Sequence, residues 1–335
     1  MSQIYIIDHS ASISKNGGRL EISYKNGLLR SIPFENVEGI TIIGNAQMTT
    51  YCIGECLRRG IQIQYHSSKG YYFGKLSSTQ HVNTKRQRMQ VKLTEDKSFS
   101  LELAKNILKA KINNQIVLLR RYQRTSEEEF QSEIKQISIL EEKINNCLNL
   151  EEVLGFEGSA ARLYFKALSK AIKPTGFKFN GRNRRPPKDP FNSMLSLGYT
   201  ILMNDIYSTI ESRGLSPYFG FIHQDRNNHP TLASDLIEEW RAVIVDSVTM
   251  ALINGNEISI DNFYRDDEAK GVFFDKDGLK IFINKLEKKL EVSTSYLDYI
   301  TYDISFRKAI DLQVIQVCKA IEEMDPHIYK PIRIR

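Results

Sequence analysis

The chain is predicted to be α+β, a β-rich N-terminal domain followed by a larger all-α domain, and two observations carry this. Over the first eighty or so residues, short apolar runs alternate with turn signals; beyond about residue 100 the apolar period becomes that of helices. At 335 residues the chain exceeds the usual size of one hydrophobic core. The expected boundaries are a β-rich domain over 1–82, a junction over 83–100 and a helical domain over 101–335.

Taken in order, the strand candidates are IYIID, RLEISYK, LLRSIPF, GITIIG, IQIQYHS and YYFGKL. Asn16-Gly17 and Asn26-Gly27 favour tight hairpins between them. A single helix is expected between Thr50 and Gly60. Ser77 to Ser100 is polar and charged and reads as the junction, although TKRQRMQVKL within it also suits a helix. Helices are then expected near 101–124, 126–147, 157–172, 190–213, 231–253, 277–290 and 305–324. Asp189 is a good N-cap for the helix opening with Pro190, whose missing N–H costs nothing at the first position. NGNEISIDNFYRDDEAKGVFFD reads as a small β excursion or loop between helices. The lysines of 277–290 lie opposite an apolar stripe, which suits a solvated amphipathic helix.

Composition bounds the class. With 41% hydrophobic and 26% charged residues the chain is an ordinary globular one, and its net charge of +6 is modest. It contains no apolar run long enough for a bilayer, and MSQIYIIDHSASISK lacks the pattern of a secretory signal, so a cytoplasmic protein without membrane association is expected. Cys52, Cys56, Cys147 and Cys318 form no CxxC pair, and reduced thiols are expected.

Three distant stretches carry metal-seeking side chains: Glu157 in GFEGSAARLYF, His223 in YFGFIHQ and Glu238 in LASDLIEEWR. The intervals are 66 and 15 residues. Individually each has a plain reading, the histidine as a satisfied core residue and the glutamates as solvated groups. Together, two carboxylates and an imidazole without thiolate describe a site for Mg²⁺ or Mn²⁺. The small residues after Glu157, Gly158 to Ala161, are expected to let another helix approach. Asp235 and Glu238, three apart, are expected to project together from the edge of an apolar stripe of Leu232, Leu236, Trp240, Val243 and Ile244, a pairing unfavourable without a cation.

The second feature is basic. From Gly158 to Lys188 there are nine Lys or Arg and no Asp or Glu. Lys105, Lys109, Lys111, Arg120, Arg121 and Arg124 form another acid-free run. Such runs suit a polyanion, since Lys and Arg neutralise successive phosphates and release counterions. Arg162, Arg182, Arg184 and Arg185 are the expected DNA contacts. His229, in QDRNNHPT, is rejected as a ligand.

GFEGSAARLYF, GRNRRPPKDPFNSMLSLGY, GFIH, LASDLIEEWR and GVFFDKDGLKIFINKLEKKL, in this order, resemble the CRISPR adaptation integrases, the metal-dependent endonuclease family called Cas1. The resemblance implies that Glu157, His223 and Glu238 are metal ligands, that Asp235 supports them, and that the helical domain is catalytic. It further implies insertion of short DNA fragments into a CRISPR repeat by 3′-hydroxyl transesterification during spacer acquisition for antiviral defence, a homodimer joined through the β domains, and the small partner Cas2. A non-catalytic nucleic-acid-binding subunit, a nuclease without integrase activity and a zinc-dependent hydrolase are the alternatives.

Overall fold

The computed structural model describes every residue except Met1, Thr175, Arg184, Arg185, Tyr296, Asp298 and Arg335. Two compact units form, Met1–His81 and Val82–Arg335. The architecture is mixed α+β, strand-rich first and helical afterwards.

The first unit contains β1 (Ser2–Ile6), β2 (Ser12–Asn16), β3 (Arg19–Ser23), β4 (Leu29–Pro33), β5 (Val37–Ile43), β6 (Gln47–Met48), α1 (Thr50–Arg58), β7 (Gln62–His66) and β8 (Tyr72–Leu76). One four-stranded sheet runs β1-β5-β7-β8, with β1, β5 and β7 parallel and β8 antiparallel to β7. The other runs β4-β3-β2-β6. Ile4, Ile6, Ile13, Leu20, Ile40, Ile63, Cys52 and Cys56 belong to the core these sheets share with α1. Central β5 is covered on both faces, which is why GITIIG is apolar without alternation.

Two elements escaped the sequence pattern. β2, SISKN, has one apolar residue, Ile13, and no alternation to read; it is the first arm of the Asn16-Gly17 hairpin, with Asn16 opposite Arg19 and Gly17 at φ +57°. β6 is only two residues long. The helix expected between Thr50 and Gly60 forms, with Thr49 accepting from the Cys52 N–H as its cap.

The second unit opens with α2 (Thr84–Thr94) and α3 (Lys97–Gln123), so the expected junction 83–100 is itself mostly helical. Its polarity suggested a linker, yet Asn83 and Asp96 cap the two helices through their side chains. α4 (Gln131–Lys143), α5 (Leu150–Lys170) and α6 (Pro190–Ser212) follow. α5 starts seven residues before the expected 157: Asn149 accepts from the Glu152 N–H, while the Glu152 carboxylate accepts from Leu148 N and Asn149 Nδ2. Asp189 caps α6 and Pro190 opens it, as expected.

The stretch 231–253 is not one regular helix. α7 (Thr231–Leu236) tightens into a 3₁₀ turn at Ile237–Glu239, widens into a π turn at Arg241–Asp246, and resumes as α8 (Ser247–Asn254). The β excursion is the hairpin β9 (Phe263–Asp266) and β10 (Gly271–Phe274). α9 (Lys276–Glu291), the short pair β11 (Ser293–Thr294) and β12 (Ile304–Ser305), and α10 (Phe306–Glu322) complete the unit. The second unit is therefore helical but not purely so. Among the described residues no helix is long and apolar enough to cross a membrane.

Close backbone approach occurs at other glycines than the one expected. A Cβ on Gly158 would meet nothing within 4 Å, whereas one on Gly198 of α6 would lie 2.5 Å from Val245 in the π turn. Gly198 thus lets α6 press against the irregular segment that carries the candidate site. Cys52, Cys56, Cys147 and Cys318 are buried and unpaired.

Candidate metal and nucleic-acid site

α3 contributes the residue the sequence reading misplaced. Lys111 belongs to an acid-free basic run in the sequence, but it lies among the buried positions of α3, with Leu108, Ala110 and Ile112, and is buried itself. Its ammonium donates to Glu157 Oε1 at 2.5 Å and stands 2.6 Å from Glu238 Oε2. Glu157 comes from the third turn of α5, Glu238 from the 3₁₀ turn. One cation thus joins two carboxylates that are 81 residues apart in the chain.

Glu238 is the more enclosed of the two, with its side chain 4% exposed against 17% for Glu157. Burial alone would raise its pKa, but the charges of Arg241 and Lys111 outweigh this and hold the carboxyl down to about 2. Arg241 Nη2 lies 3.1 Å from Glu238 Oε1. Glu238 Oε2, despite its closeness to Lys111, makes no aligned hydrogen bond among the described residues. It is a buried oxygen held chiefly by the charge of Lys111.

His223 stands on the loop after α6, its side chain 39% exposed, and Asp235 fixes it from below. Asp235 Oδ2 accepts from the Phe221 and Ile222 N–H groups at 2.6 and 3.0 Å, and Oδ1 accepts from His223 N at 3.1 Å and meets His223 Nδ1 at 2.7 Å. Because an ionised carboxylate only accepts, Nδ1 carries the proton and Nε2 is the nitrogen that offers a lone pair in the neutral ring. The Asp235 hydrogen bond raises the His223 pKa against the effect of burial, with the Asp235 and Glu238 charges adding to the rise. Gly220 is required here, since a Cβ would stand 2.5 Å from Asp235 Oδ2.

The expectation that Asp235 and Glu238 form a side-by-side pair needing a cation is therefore corrected. Asp235 is consumed by backbone N–H groups and the imidazole, and Glu238 by Lys111 and Arg241. The change from α-helix to 3₁₀ turn between them gives each its own partners.

Behind Arg241 lies a group that sequence reading missed. Tyr164 and Tyr199 donate to the two oxygens of buried Asp246 at 2.6 and 2.5 Å. Burial raises the Asp246 carboxyl to about 6, with the two tyrosine hydroxyls and the Arg241 charge opposing the rise. The guanidiniums of Arg241 and Arg182 both lie over the Tyr199 ring, 5.1 and 5.4 Å from its centroid. Arg182 also donates to Asn192 Oδ1 at 2.9 Å and to Ser196 Oγ at 3.1 Å. It is tied to α6 rather than held out as a free phosphate contact.

The remaining basic candidates separate. Arg162 is exposed, and five residues after Glu157 it points about 140° away around the helix. Arg184 and Arg185 lie outside the described residues. Lys166 and Lys170, two of the nine basic residues between Gly158 and Lys188, pair with Glu133 at 3.4 and 2.9 Å, so that run is not uniformly unbalanced. His229, rejected as a ligand, meets Ser234 Oγ at 3.1 Å through Nε2.

A cleft of about 1230 Å³ opens beside the site, with His223, Glu238 and Arg241 on one wall and Lys97, Leu148 and Phe221 among its other lining residues. Among the described residues no three His, Cys, Asp or Glu side chains stand close enough together to hold a metal ion. The donor chemistry nonetheless suits one: two carboxylates already share a cation, and an imidazole is oriented by a carboxylate as metal-ligating histidines usually are.

Comparison with known proteins agrees in sequence and in fold. The model of the family described as CRISPR associated protein Cas1 matches residues 4–288. A CRISPR-associated endonuclease Cas1 of Mycobacterium tuberculosis is 35% identical over 97% of this chain and 96% of its own length. One from Thermus thermophilus is 36% identical over 80% of this chain and 78% of its own. Among solved structures, a casposase bound to integration product shares the fold at TM-score 0.86, with 23% identity over 97% of this chain and 92% of that one. A Cas1 protein from Thermotoga maritima does so at 0.82, with 20% identity over 96% and 97%. On the match of its sequence along almost its whole length, this chain belongs to the Cas1 family.

Proposed function

We propose that the chain is a metal-dependent DNA endonuclease and integrase that joins the 3′-hydroxyl ends of short DNA fragments to a CRISPR repeat. The observation that carries the reading is the pairing of Glu157 and Glu238 across one ammonium, with Glu238 and an oriented His223 lining the same large cleft, in a chain whose relatives are named CRISPR-associated endonucleases. The fold shared with a casposase bound to integration product supports strand joining over hydrolysis alone.

Glu157, Glu238 and His223 Nε2 would hold Mg²⁺ or Mn²⁺, which polarises a phosphodiester and stabilises the departing 3′ oxygen. Asp235 keeps the His223 proton on Nδ1 and so keeps Nε2 available. Arg241, stacked on Tyr199, holds Glu238 ionised. Arg162, Arg184 and Arg185 supply positive charge for DNA phosphates, while Arg182, tied to Asn192 and Ser196, adds its charge without a free guanidinium.

Two assembly readings accompany this one. A fold match to a Cas6-RT-Cas1–Cas2 complex, at TM-score 0.82 and 24% identity over the whole chain and 36% of that one, supports a Cas2 partner. Self-association through the strand-rich unit is supported by edge strand β8, which exposes Tyr72, Phe73 and Leu76.

The reaction type is tested with a labelled fragment ending in 3′-deoxynucleotides, offered with a supercoiled repeat-containing plasmid, Mn²⁺ and the Cas2 partner. It should bind and fail to join, while the 3′-hydroxyl fragment joins. Equal joining of both would contradict transesterification, and joining of neither, with nicking retained, would favour a nuclease.

A further inference from the structure

Lys111 is not explained by a purely structural role. A buried ammonium in a well-formed ion pair uses its three donors, because an unmade hydrogen bond to a charged group is expensive. Lys111 has two acceptors for those three donors among the described residues: it donates to Glu157 Oε1 at 2.5 Å and stands 2.6 Å from Glu238 Oε2. Glu238 has a further cation in Arg241, 3.1 Å from its other oxygen. The ammonium thus sits between hard carboxylate oxygens from two distant elements and serves both by charge. Such a set suits a spherical ion, which makes no directional demand.

We propose that Lys111 is a tethered cation that holds Glu157 and Glu238 together in the metal-free protein and competes with the divalent ion for the same two carboxylates. This rests on the metal-site reading above. Without the ammonium, buried Glu238 and partly exposed Glu157 would repel each other. With it, the ligands are pre-positioned, and the divalent ion binds only by driving the ammonium aside. Lys111 is therefore a positioning residue that sets the metal concentration at which the site loads. Ions at this separation interact strongly even at the moderate effective dielectric of a protein, so the competition is large.

The experiment is Mn²⁺ titration of the full chain without DNA, the free ion being read by electron paramagnetic resonance. Wild type is compared with Lys111→Met, Lys111→Gln and Glu238→Gln, each checked for fold by circular dichroism. The Lys111→Met and Lys111→Gln proteins should bind Mn²⁺ tighter by about tenfold or more, and Glu238→Gln should lose binding. If wild-type binding requires Glu238 but neither neutral Lys111 variant binds tighter, the competition is refuted and the metal site stands. If wild type binds no Mn²⁺, or Glu238→Gln binds it normally, the metal site itself is refuted. A second reading uses wild type and so does not depend on the variants folding: the Lys111 ε-methylene NMR signal, assigned by its absence from Lys111→Arg, should shift on addition of Mg²⁺. A signal that stays in place at saturating Mg²⁺ would overturn the displacement.

Discussion

Glu238 and Glu239 are neighbours in one 3₁₀ turn, both buried, and they face opposite fates. Glu238 turns to the cleft side and meets Lys111 and Arg241, which keep it ionised with a pKa of about 2. Glu239 turns inward, where Tyr329 donates to Oε1 at 2.7 Å and Ile332 N and Gln313 donate to Oε2 at 2.7 and 3.1 Å. These donors are neutral, and burial outweighs them, pushing the Glu239 carboxyl up to about 8. Burial is common to both, so the difference lies in the charge of the partners. One carboxyl faces two cations, and the other is a bolt that ties the turn to α10 and to the C-terminal residues. Asn114, three residues from Lys111 on α3, reinforces the bolt by donating to Glu239 O and Ile332 O, both at 2.9 Å.

The largest effect expected is on the cleft side. Glu157→Ala and His223→Ala should remove Mn²⁺-dependent nicking and joining while leaving DNA affinity in place, as read by gel assays and fluorescence anisotropy. Asp235→Asn keeps the shape of the loop anchor but loses the charge that orients His223, and activity should fall by about 10–100-fold. Undiminished activity in Asp235→Asn would mean that the imidazole needs no orientation.

On the inner side the effect is on stability and its pH dependence. The folded-state pKa of Glu239 is raised, so its contribution to stability is fully present below the ordinary value of 4.5 and is lost as pH rises through about 8. Glu239→Gln mimics the protonated acid, presenting its oxygen to Ile332 N and Gln313 and its amide to Tyr329. Its melting temperature relative to wild type should therefore increase between these two pH values. A constant difference would show that Glu239 is ionised throughout. Glu238 has the opposite sign, its contribution being lost as pH falls from 4.5 towards about 2.

The smallest effect concerns Arg182. Its guanidinium is engaged by Asn192, Ser196 and the Tyr199 ring, so Arg182→Ala should alter the log–log salt slope of duplex DNA binding by less than the ~0.9 expected for one complete phosphate contact. A full change in slope would restore it as a direct phosphate contact.

How much of this was legible in the sequence follows from what each signal depends on. The caps and periods of α6, α9 and α10 are local, so their positions were readable. The polar strand β2 and the early start of α5 were not: the first has a single inward residue, and the second begins with a capping arrangement, Asn149 with Glu152, seven residues upstream of where the motif drew attention. Glu157, Glu238 and His223 were legible as donor types. Their shared partner was not, because Lys111 in a list of basic residues looks like any other surface lysine. Its position between Leu108 and Ile112 on a helix rich in buried apolar residues was the available signal. The different partners of Glu238 and Glu239 come from α3 and from residues 329–332, tertiary neighbours that a local period cannot reveal.

The central claim, that the cleft side of this turn performs metal-dependent strand chemistry and the inner side only holds it in place, is tested most directly by one matched pair. Glu238→Gln and Glu239→Gln each replace one carboxyl by an amide of nearly the same shape in adjacent positions. Joining of a labelled 3′-hydroxyl DNA fragment to a supercoiled repeat-containing plasmid is measured at equal concentrations of folded protein in Mn²⁺ with the Cas2 partner. The account predicts that Glu238→Gln gives no joined product and Glu239→Gln joins at a rate near wild type. Joining by Glu238→Gln at the wild-type rate, or its loss from a fully folded Glu239→Gln, would contradict it.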